Sequence, residues 1–226
     1  MENIIEIKNV NRIFPVIGGE FQALKDITAE VPKGALAILK GRSGSGKTTL
    51  MNIVGALDMP TSGNVMIGGT DITKLSERER EKLRRKKFGF VFQAVSLIPT
   101  LTAYQNVEFS LRMAGVRQGR RERVESCLKM VGLGARMKHM PAEMSGGEQQ
   151  RVAIARAMAH HPEILFADEP TAELDSGMAA EVVEMFKKMT EEEGITILMT
   201  THDTGLMDAG DVMIELQNGE RVWQNQ

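Results

Sequence analysis

The sequence predicts an α/β fold with a mostly parallel sheet, an N-terminal antiparallel β subdomain and an inserted α-helical subdomain. The first stretch of about 30 residues alternates between apolar and other side chains, as strands do. Short apolar runs that suit buried strands at 35–39 and 164–167 are each followed by a helical pattern, which is typical of a parallel sheet. Between about 95 and 160 the apolar spacing is helical almost throughout.

The composition fits a single folded domain over residues 1–226. The chain has 226 residues, of which 42% are hydrophobic, enough for a full core. A net charge of −2 argues against a general nucleic-acid binder, which is usually basic, so no nucleic-acid partner is expected. The single cysteine, Cys127, excludes an internal disulfide and lies on an apolar helical face, so we expect a buried thiol.

The order of the predicted elements follows from apolar spacing and turn residues. A strand with Ile5 and Ile7 leads through a loop around Gly18 to a second strand with Ile27 and Val31. The next elements are a strand at 35–39, a helix with the apolar residues of 50–57 on one side, and helices within 95–160. They are followed by a strand at 164–167, a helix at 177–190, a strand at 195–200, and short strands at 212–216 and 221–223.

Two capping boxes mark helix starts inside the helical subdomain. Thr102 stands three residues before Gln105, and Ser145 stands three residues before Glu148. The charged run at 77–87 has mixed signs at helical spacing and predicts a solvated helix face, with a contact to lipid headgroups or to a partner's acidic loop as the alternative. No apolar run approaches the ~18–20 residues needed to cross a bilayer, so membrane association would require a partner.

A glycine-rich loop with a lysine and a threonine follows the strand at 35–39. Residues 41–48 match the pattern G-x-x-x-x-G-K-[ST] at every fixed position, between a predicted strand and a predicted helix. The backbone N–H groups and the helix N-terminus would bind phosphate, Lys47 would reach the β- and γ-phosphates, and Thr48 would contact Mg²⁺. The candidate nucleotide-binding residues here are Gly41, Ser43, Gly44, Ser45, Gly46, Lys47, Thr48 and Thr49.

Two acids end the strand at 164–167. Asp168 would hold Mg²⁺, and Glu169, one residue later, can polarise an attacking water. Either acid alone fits an ordinary strand end. Together with the glycine-rich loop, they indicate a P-loop NTPase that uses a nucleoside triphosphate and Mg²⁺.

A third motif narrows the family. Ser145, Gly146 and Gly147 lie in the sequence MSGGEQQR, which resembles the LSGGQ signature of ABC ATPases. Physically it is a capped helix N-terminus with two glycines, and hence a second anion-binding site on the chain. The resemblance implies a head-to-tail dimer in which each signature closes on the ATP of the partner.

Other residues match the same family in order. Gln93 resembles the glutamine that senses Mg²⁺ and water, Asp175 resembles the loop that crosses the dimer interface, and His202 resembles the histidine that contacts the γ-phosphate. Phe14 resembles the aromatic residue that stacks on adenine, with Phe21 and a plain core role as alternatives. The resemblance covers the whole chain and implies one ABC-type nucleotide-binding domain.

Within the family, the sequence is similar to the lipoprotein-releasing, macrolide-efflux and cell-division branch. The signs are a longer loop at 16–22 and the segments GFVFQAVSLIP and ADEPT. Three residues depart from the pattern: Met144 replaces leucine conservatively, Glu148 replaces glutamine, and Glu173 stands where asparagine is frequent. The effect of the added charge at Glu173 on the dimer interface stays open.

The resemblance implies an ATP-hydrolysing motor subunit on the cytoplasmic face of the cell membrane. Its partners would be a second copy of the chain, or a paralogue, and a four-helix permease with a large extracytoplasmic domain. Glu169 would be the general base, assisted by His202, Gln93 and Lys47, and the metal would be held by Thr48, Gln93 and Asp168. Two alternatives stay open: a soluble ABC ATPase that works on DNA or ribosomes, and a membrane-attached regulator of cell-wall enzymes.

Overall fold

The computed structural model describes residues 2–172 and 174–222; the predictions made for Glu173 and for Trp223 therefore lie outside the described residues. In this part of the chain the strands are β1 (Asn3–Val16), β2 (Gly19–Pro32), β3 (Leu36–Lys40), β4 (Ser62–Ile67), β5 (Thr70–Asp71), β6 (Phe88–Val91), β7 (Ile164–Asp168), β8 (Thr196–Thr201), β9 (Val212–Gln217) and β10 (Glu220–Val222). The α-helices are α1 (Lys47–Val54), α2 (Glu77–Lys87), α3 (Ala103–Met113), α4 (Arg120–Met130), α5 (Gly146–Met158) and α6 (Ser176–Glu193).

The strands form two sheets. An antiparallel sheet has the order β2-β1-β4-β5, and a six-stranded sheet has the order β10-β9-β3-β8-β7-β6. In the larger sheet every pairing is parallel except that of β10 with β9. The predicted mostly parallel sheet and the N-terminal antiparallel β subdomain are therefore confirmed.

Alternate residues of the central strands face two separate apolar clusters. Ala37 and Leu39 of β3 pack in one cluster with α1 and the antiparallel sheet. Leu36 and Ile38 pack in the other cluster, which contains the apolar sides of α3 to α6. The six-stranded sheet is thus covered on both faces, which explains why its strands are continuous apolar runs.

The inserted helical subdomain is also present. Helices α3, α4 and α5 fall within the predicted 95–160, between β6 and β7. Both predicted capping boxes form: Gln105 N–H donates to Thr102 Oγ1 at 3.2 Å, and Glu148 N–H donates to Ser145 Oγ at 3.2 Å. Cys127 is fully buried on the inner side of α4, as expected.

Three sequence expectations need correction. The loop predicted at 16–22 is mostly strand, because β1 and β2 form a hairpin in which Phe14 pairs with Phe21 and Val16 pairs with Gly19. Helix α1 ends at Val54, so Leu57 lies beyond it and is half-exposed. Strands β4, β5 and β6 were not predicted; they are short, and the first contains Gly63.

The charged run at 77–87 is helix α2, and none of its residues is buried, as a solvated face requires. Within the described residues, we find no helix with the length and apolar character required to span a membrane.

Candidate nucleotide site

The glycine-rich loop between β3 and α1 has a backbone that only glycine fits at two points. Gly41 has φ of 153°, and a Cβ on it would lie 2.3 Å from the Leu216 carbonyl oxygen. Gly46 has φ of 104°, and a Cβ there would lie 2.8 Å from the Ala23 carbonyl oxygen. Gly46 also precedes α1 and offers no side-chain cap, so the first N–H groups of the helix remain available to an anion.

The remaining loop residues surround this helix start. Ser43 and Gly44 are exposed, whereas Ser45 is buried and Thr49 is half-buried in the first turn of α1. The buried Ser45 Oγ has no hydrogen-bond partner within the described chain. Buried polar atoms are normally paired, so this hydroxyl is suited to a further ligand or water.

Lys47 folds back over the loop. Its Nζ donates to the carbonyl oxygen of Gly41 at 2.7 Å and to that of Arg42 at 3.2 Å, and it lies 3.7 Å from Oε1 of Glu169. The side chain is only 5% exposed. A buried ammonium that is held mainly by carbonyl oxygens can exchange them for phosphate oxygens at the same place.

Thr48 and Asp168 meet at the ends of α1 and β7. Thr48 Oγ1 donates to the Asp168 carboxylate, at 3.3 Å from Oδ1 and 3.2 Å from Oδ2. A hydroxyl and a carboxylate are the hard oxygen ligands that Mg²⁺ prefers in sites shared with phosphates. These two side chains therefore fit a Mg²⁺ ion.

Thr200 of β8 is a site residue that sequence reasoning missed. Its Oγ1 donates to Asp168 Oδ1 at 2.7 Å and accepts the backbone N–H of Glu169 at 2.8 Å. The parallel pairing of β7 with β8 places Asp168 opposite Thr200. The only sequence signal was a threonine at the end of a predicted strand, which does not reveal its neighbour.

Glu169 and His202 face one cavity of about 390 Å³. Glu169 adopts φ of 44°, a left-handed conformation that is uncommon for a non-glycine residue and is often found at functional sites. His202 Nδ1 lies 3.3 Å from Glu169 Oε2. The acid, the imidazole and Lys47 thus converge next to the loop, an arrangement that can bind a phosphate chain and activate a water.

Gln93 lies beside a second, small cavity next to Glu169. Its lining residues, which come from the segment after β6, from α5 and from the segment after β7, are Gln93, Val95, Gly146, Gln150, Glu169, Pro170 and Leu174. Gln150 Nε2 donates to the Pro170 carbonyl oxygen at 2.9 Å. The signature segment is therefore joined to the residues that follow Glu169 in the same chain.

The two signature glycines have different surroundings. A Cβ on Gly146 would have no heavy atom within 4 Å, whereas a Cβ on Gly147 would lie 2.9 Å from Met178 Sδ of α6. Gly147 is thus constrained by packing in its own chain, and Gly146 is open to solvent. Ser145 precedes them as the cap of α5.

Asp175 and Phe14 each have a structural partner within the same chain. Asp175 caps α6, since its Oδ1 accepts the Met178 N–H at 2.9 Å. Phe14 is directly opposite Phe21 in the β1–β2 hairpin, which puts both rings on one face of the hairpin. The sequence alternatives for adenine stacking are therefore neighbours, and Phe21 is the more exposed of the two.

Comparison with known proteins gives one family over most of the chain. A family model described as "ABC transporter" matches residues 24–172, and one described as "AAA domain, putative AbiEii toxin, Type IV TA system" matches residues 141–208. The ABC transporter ATP-binding protein YtrE of Bacillus subtilis is 42% identical over 222 residues, which cover 96% of this chain and 96% of that protein.

A second curated relative is much longer than this chain. The macrolide export ATP-binding/permease protein MacB of Mannheimia succiniciproducens is 43% identical over 221 residues, which cover 97% of this chain but only 34% of that protein. The chain therefore corresponds to about a third of this relative.

Solved structures agree in fold. The uncharacterized ABC transporter ATP-binding protein MJ0796 of Methanocaldococcus jannaschii has been solved as a dimer in a post-hydrolysis state bound to ADP and Pi. That structure superposes with a TM-score of 0.89 at 41% identity and covers 98% of each chain. The cbiO1 protein of Clostridium perfringens, part of the cbiONQ transporter complex, also gives a TM-score of 0.89, at 28% identity, over 99% of this chain and 88% of that one.

Proposed function

This chain belongs to the ABC transporter family as an ATP-binding, ATP-hydrolysing subunit, and we propose that it drives a membrane permease by closing as a dimer on two ATP molecules. The observation that carries the proposal is the meeting of Lys47, Glu169 and His202 at one end of the parallel sheet. One chain thereby supplies the cation, the base and the imidazole that in-line hydrolysis of a phosphoanhydride requires.

Each residue of this cluster has a separate task. The N–H groups of 41–49 and Lys47 hold the phosphate chain, and the positive end of α1 adds to their attraction. Glu169 accepts the proton of the attacking water. His202 contacts the γ-phosphate and, being 3.3 Å from Glu169, also restrains the base. Most of the rate enhancement comes from positioning and electrostatics.

Mg²⁺ fits the oxygen atoms next to this cluster. Thr48 and Asp168 would hold the ion, and Gln93, on the exposed segment after β6, would supply a further oxygen ligand. When bound, the ion would neutralise charge on the phosphate oxygens. Thr200 also donates a hydrogen bond to Asp168 and helps to fix the carboxylate next to Thr48.

A second copy of the chain completes each site. Ser145, Gly146 and Asp175 of one subunit would approach the ATP of the other, and the open space at Gly146 leaves room for a phosphate. The dimers solved for MJ0796, one of them bound to ADP and Pi, support this arrangement. Because one chain carries both the glycine-rich loop and the signature, a homodimer has two intact sites.

The permease would contact an apolar groove between the two subdomains. Phe92, Phe109 and Met113 are exposed although they are large and apolar. A groove of about 250 Å³ on this side has an apolar floor and basic residues around it; it is lined by Arg84, Arg85, Phe88, Phe90, Phe109, Met113, Arg156 and His160. Exposed apolar surface next to charge is typical of a protein contact.

The branch of the family and the location are parts of the same proposal. The MacB relative joins a domain like this one to a permease in a single protein. This supports a role here in macrolide efflux or lipoprotein release, with the permease as a separate subunit. We expect a four-helix permease with a large extracytoplasmic domain, and a subunit held at the cytoplasmic face of the membrane. The motor would then drive movement outside the membrane.

The hydrolytic part is tested by Glu169→Gln. The amide cannot accept the proton, so steady-state ATP hydrolysis should fall by roughly 100-fold or more while ATP still binds. Size-exclusion chromatography should then show an ATP-dependent dimer. Glu192→Gln, an exposed change on α6, is the matched control and should hydrolyse ATP as the parent does. Near-parental hydrolysis by Glu169→Gln would refute the base assignment.

The permease part is tested by affinity purification of the tagged chain from solubilised membranes of its own cells. Stoichiometric recovery of a four-helix membrane protein with an extracytoplasmic domain is the expected result. A partner with six or more core helices would overturn the branch. Recovery with ribosomes or DNA would favour a soluble ABC ATPase, and recovery with a cell-wall hydrolase system would favour a regulator.

A further inference from the structure

Arg12 lies over one face of the Phe14 ring. The guanidinium carbon is 4.3 Å from the ring centroid, within the range of a cation–π contact. The two residues are two positions apart on β1, so both side chains lie on the same face of the strand. One face of the ring is therefore covered by the guanidinium.

Asp58 fixes the guanidinium in this position. Arg12 Nε donates to Asp58 Oδ2 at 2.9 Å and Nη2 donates to Oδ1 at 2.9 Å, a bidentate pair. Asp58 Oδ1 also accepts the Met59 N–H at 2.7 Å, so the carboxylate itself is held by its own loop. The Arg12 side chain is only 23% exposed.

The same loop is also bound to the backbone of β1. The Ile13 N–H donates to Thr61 Oγ1 at 2.9 Å, and the Thr61 N–H donates to the Asn11 carbonyl oxygen at 2.8 Å. Contacts on both sides of Arg12 therefore hold the strand and the loop together. Asp58 and its loop therefore hold the guanidinium in place over the Phe14 ring.

We propose that Arg12 is a positioning residue for the nucleobase: it closes one face of Phe14 and directs adenine to the other. The inference rests on the proposed function, ATP binding and hydrolysis, and on the expectation from sequence that Phe14 is the residue that stacks on adenine. A cation on one face draws π electrons toward itself, so the opposite face repels an electron-rich purine less. Asp58 neutralises Arg12 and occupies its Nε and Nη2 donors, which makes Arg12 less suited to bind phosphate.

The test measures the contribution of Arg12 to binding of the base separately from its contribution to binding of the phosphates. Steady-state hydrolysis gives KM and kcat for ATP, and inhibition by inorganic tripolyphosphate gives the affinity for a chain without a base. For Arg12→Met we expect KM for ATP to rise about three- to tenfold, a range that follows from the strength of cation–π contacts, with kcat within about twofold and tripolyphosphate inhibition unchanged. Arg12→Lys should recover part of the loss.

Two further variants show whether Arg12 acts through the ring. In a Phe14→Leu background, Arg12→Met should produce no additional rise in KM, because the ring on which it acts is gone. Lys8→Met, an exposed ion-pair residue on the same strand, is the control and should leave KM unchanged. Melting temperatures of all variants identify any that fail to fold, in which case Arg12→Lys alone carries the comparison.

Distinct results would overturn the proposal. If Arg12→Met weakens the binding of ATP and of tripolyphosphate equally, Arg12 is a phosphate ligand. If Arg12→Met leaves KM for ATP unchanged, Arg12 has no role in binding the nucleotide. If Phe14→Leu itself leaves KM unchanged, the stacking assignment fails. That failure is distinguishable from a failure of the hydrolytic proposal, which is judged by Glu169→Gln alone.

Discussion

The Thr200 hydroxyl donates a 2.7 Å hydrogen bond to Asp168 Oδ1 from the neighbouring strand. Thr200 Oγ1 also accepts a hydrogen bond from the backbone N–H of Glu169, at 2.8 Å. One buried hydroxyl thus holds both the residue proposed to bind metal and the backbone of the proposed base. Because Glu169 adopts a positive φ, this bond also stabilises a backbone conformation that would otherwise be unfavourable.

Replacing Thr200 by valine should impair both catalysis and stability. The variant keeps the volume but leaves the Glu169 N–H without its partner, which costs about 1–3 kcal/mol, and it releases the Asp168 carboxylate. We expect kcat to fall roughly 10- to 100-fold, because small displacements of reacting groups have effects of this size. The apparent affinity for Mg²⁺ should also weaken.

Thr200→Ser is the matched control, since it retains the hydroxyl and should restore most of the activity. ATPase assays over a range of Mg²⁺ concentrations and thermal unfolding provide both measurements. Equal activity of the serine and valine variants would show that the hydroxyl has no role in positioning the acids.

The signature glycines should respond differently to alanine. Gly146→Ala meets open space in the isolated chain, so its melting temperature should be unchanged or slightly higher, because alanine favours helix. Its ATPase activity should nevertheless fall at least tenfold, a rough expectation for a methyl group that separates a phosphate from its donors. Size-exclusion chromatography in a Glu169→Gln background should show less ATP-dependent dimer.

Gly147→Ala should instead act within the subunit. The added methyl would lie 2.9 Å from Met178 Sδ, so α6 or this flexible side chain must move. We expect a loss of about 1 kcal/mol in unfolding free energy. Adding Met178→Ala should relieve the overlap, and a double-mutant cycle measured by urea unfolding checks the coupling. Additive effects would place the strain elsewhere.

The glycine-rich loop could be predicted from sequence because its geometry is local: Lys47 and Thr48 begin a helix directly after a glycine-rich turn. Asp168 was predicted as the end of a buried strand, but its contact with Thr48, 120 positions away, depends on the order of the strands. That contact was expected only because the two motifs together indicate a P-loop NTPase. The capping boxes were predictable because they too are local. Thr200 was not, because its role depends on the register between β7 and β8, which no local pattern specifies.

The hairpin between β1 and β2 shows a second limit of sequence reasoning. Gly18 and Gly19 were interpreted as part of a longer loop, but they complete a tight turn in which Val16 already pairs with Gly19. The Arg12–Asp58 pair likewise joins residues 46 positions apart and leaves no periodic signal. Contacts that depend on tertiary packing were the ones that escaped prediction.

Cys127 should be inert in the folded protein. Burial raises the pKa of its thiol to about 11, so almost no thiolate exists near neutral pH and reagents have no access to it. Reaction with a thiol reagent at pH 8 should therefore follow unfolding, and should accelerate strongly in denaturant. The Cys127→Ser variant controls for reaction of the reagent at other groups. Rapid stoichiometric labelling of the native chain would contradict the buried position of Cys127 on α4.

Glu193 should make stability depend on acid pH. It accepts two 2.8 Å hydrogen bonds from Arg123, which also donates to the Ala159 and Met158 carbonyl oxygens, so the pair joins α4, α5 and α6. Burial by itself raises the pKa of Glu193, but the hydrogen bonds and charge of Arg123, assisted by His161, outweigh it, and the pKa is lowered overall.

A carboxyl group with a lowered folded-state pKa stabilises the protein fully above its unfolded pKa of about 4.3, and this contribution disappears as the pH falls through the folded-state value. Glu193→Gln should therefore cost about 1–3 kcal/mol at pH 7, where it leaves the Arg123 charge partly buried without its counter-ion. The difference from the parent should shrink below about pH 4, as the parent carboxylate also becomes neutral. Urea unfolding at pH 7, 5 and 3.5 measures this, with Glu192→Gln as the exposed control; a difference that stays constant across the three pH values would show that the ion pair does not contribute.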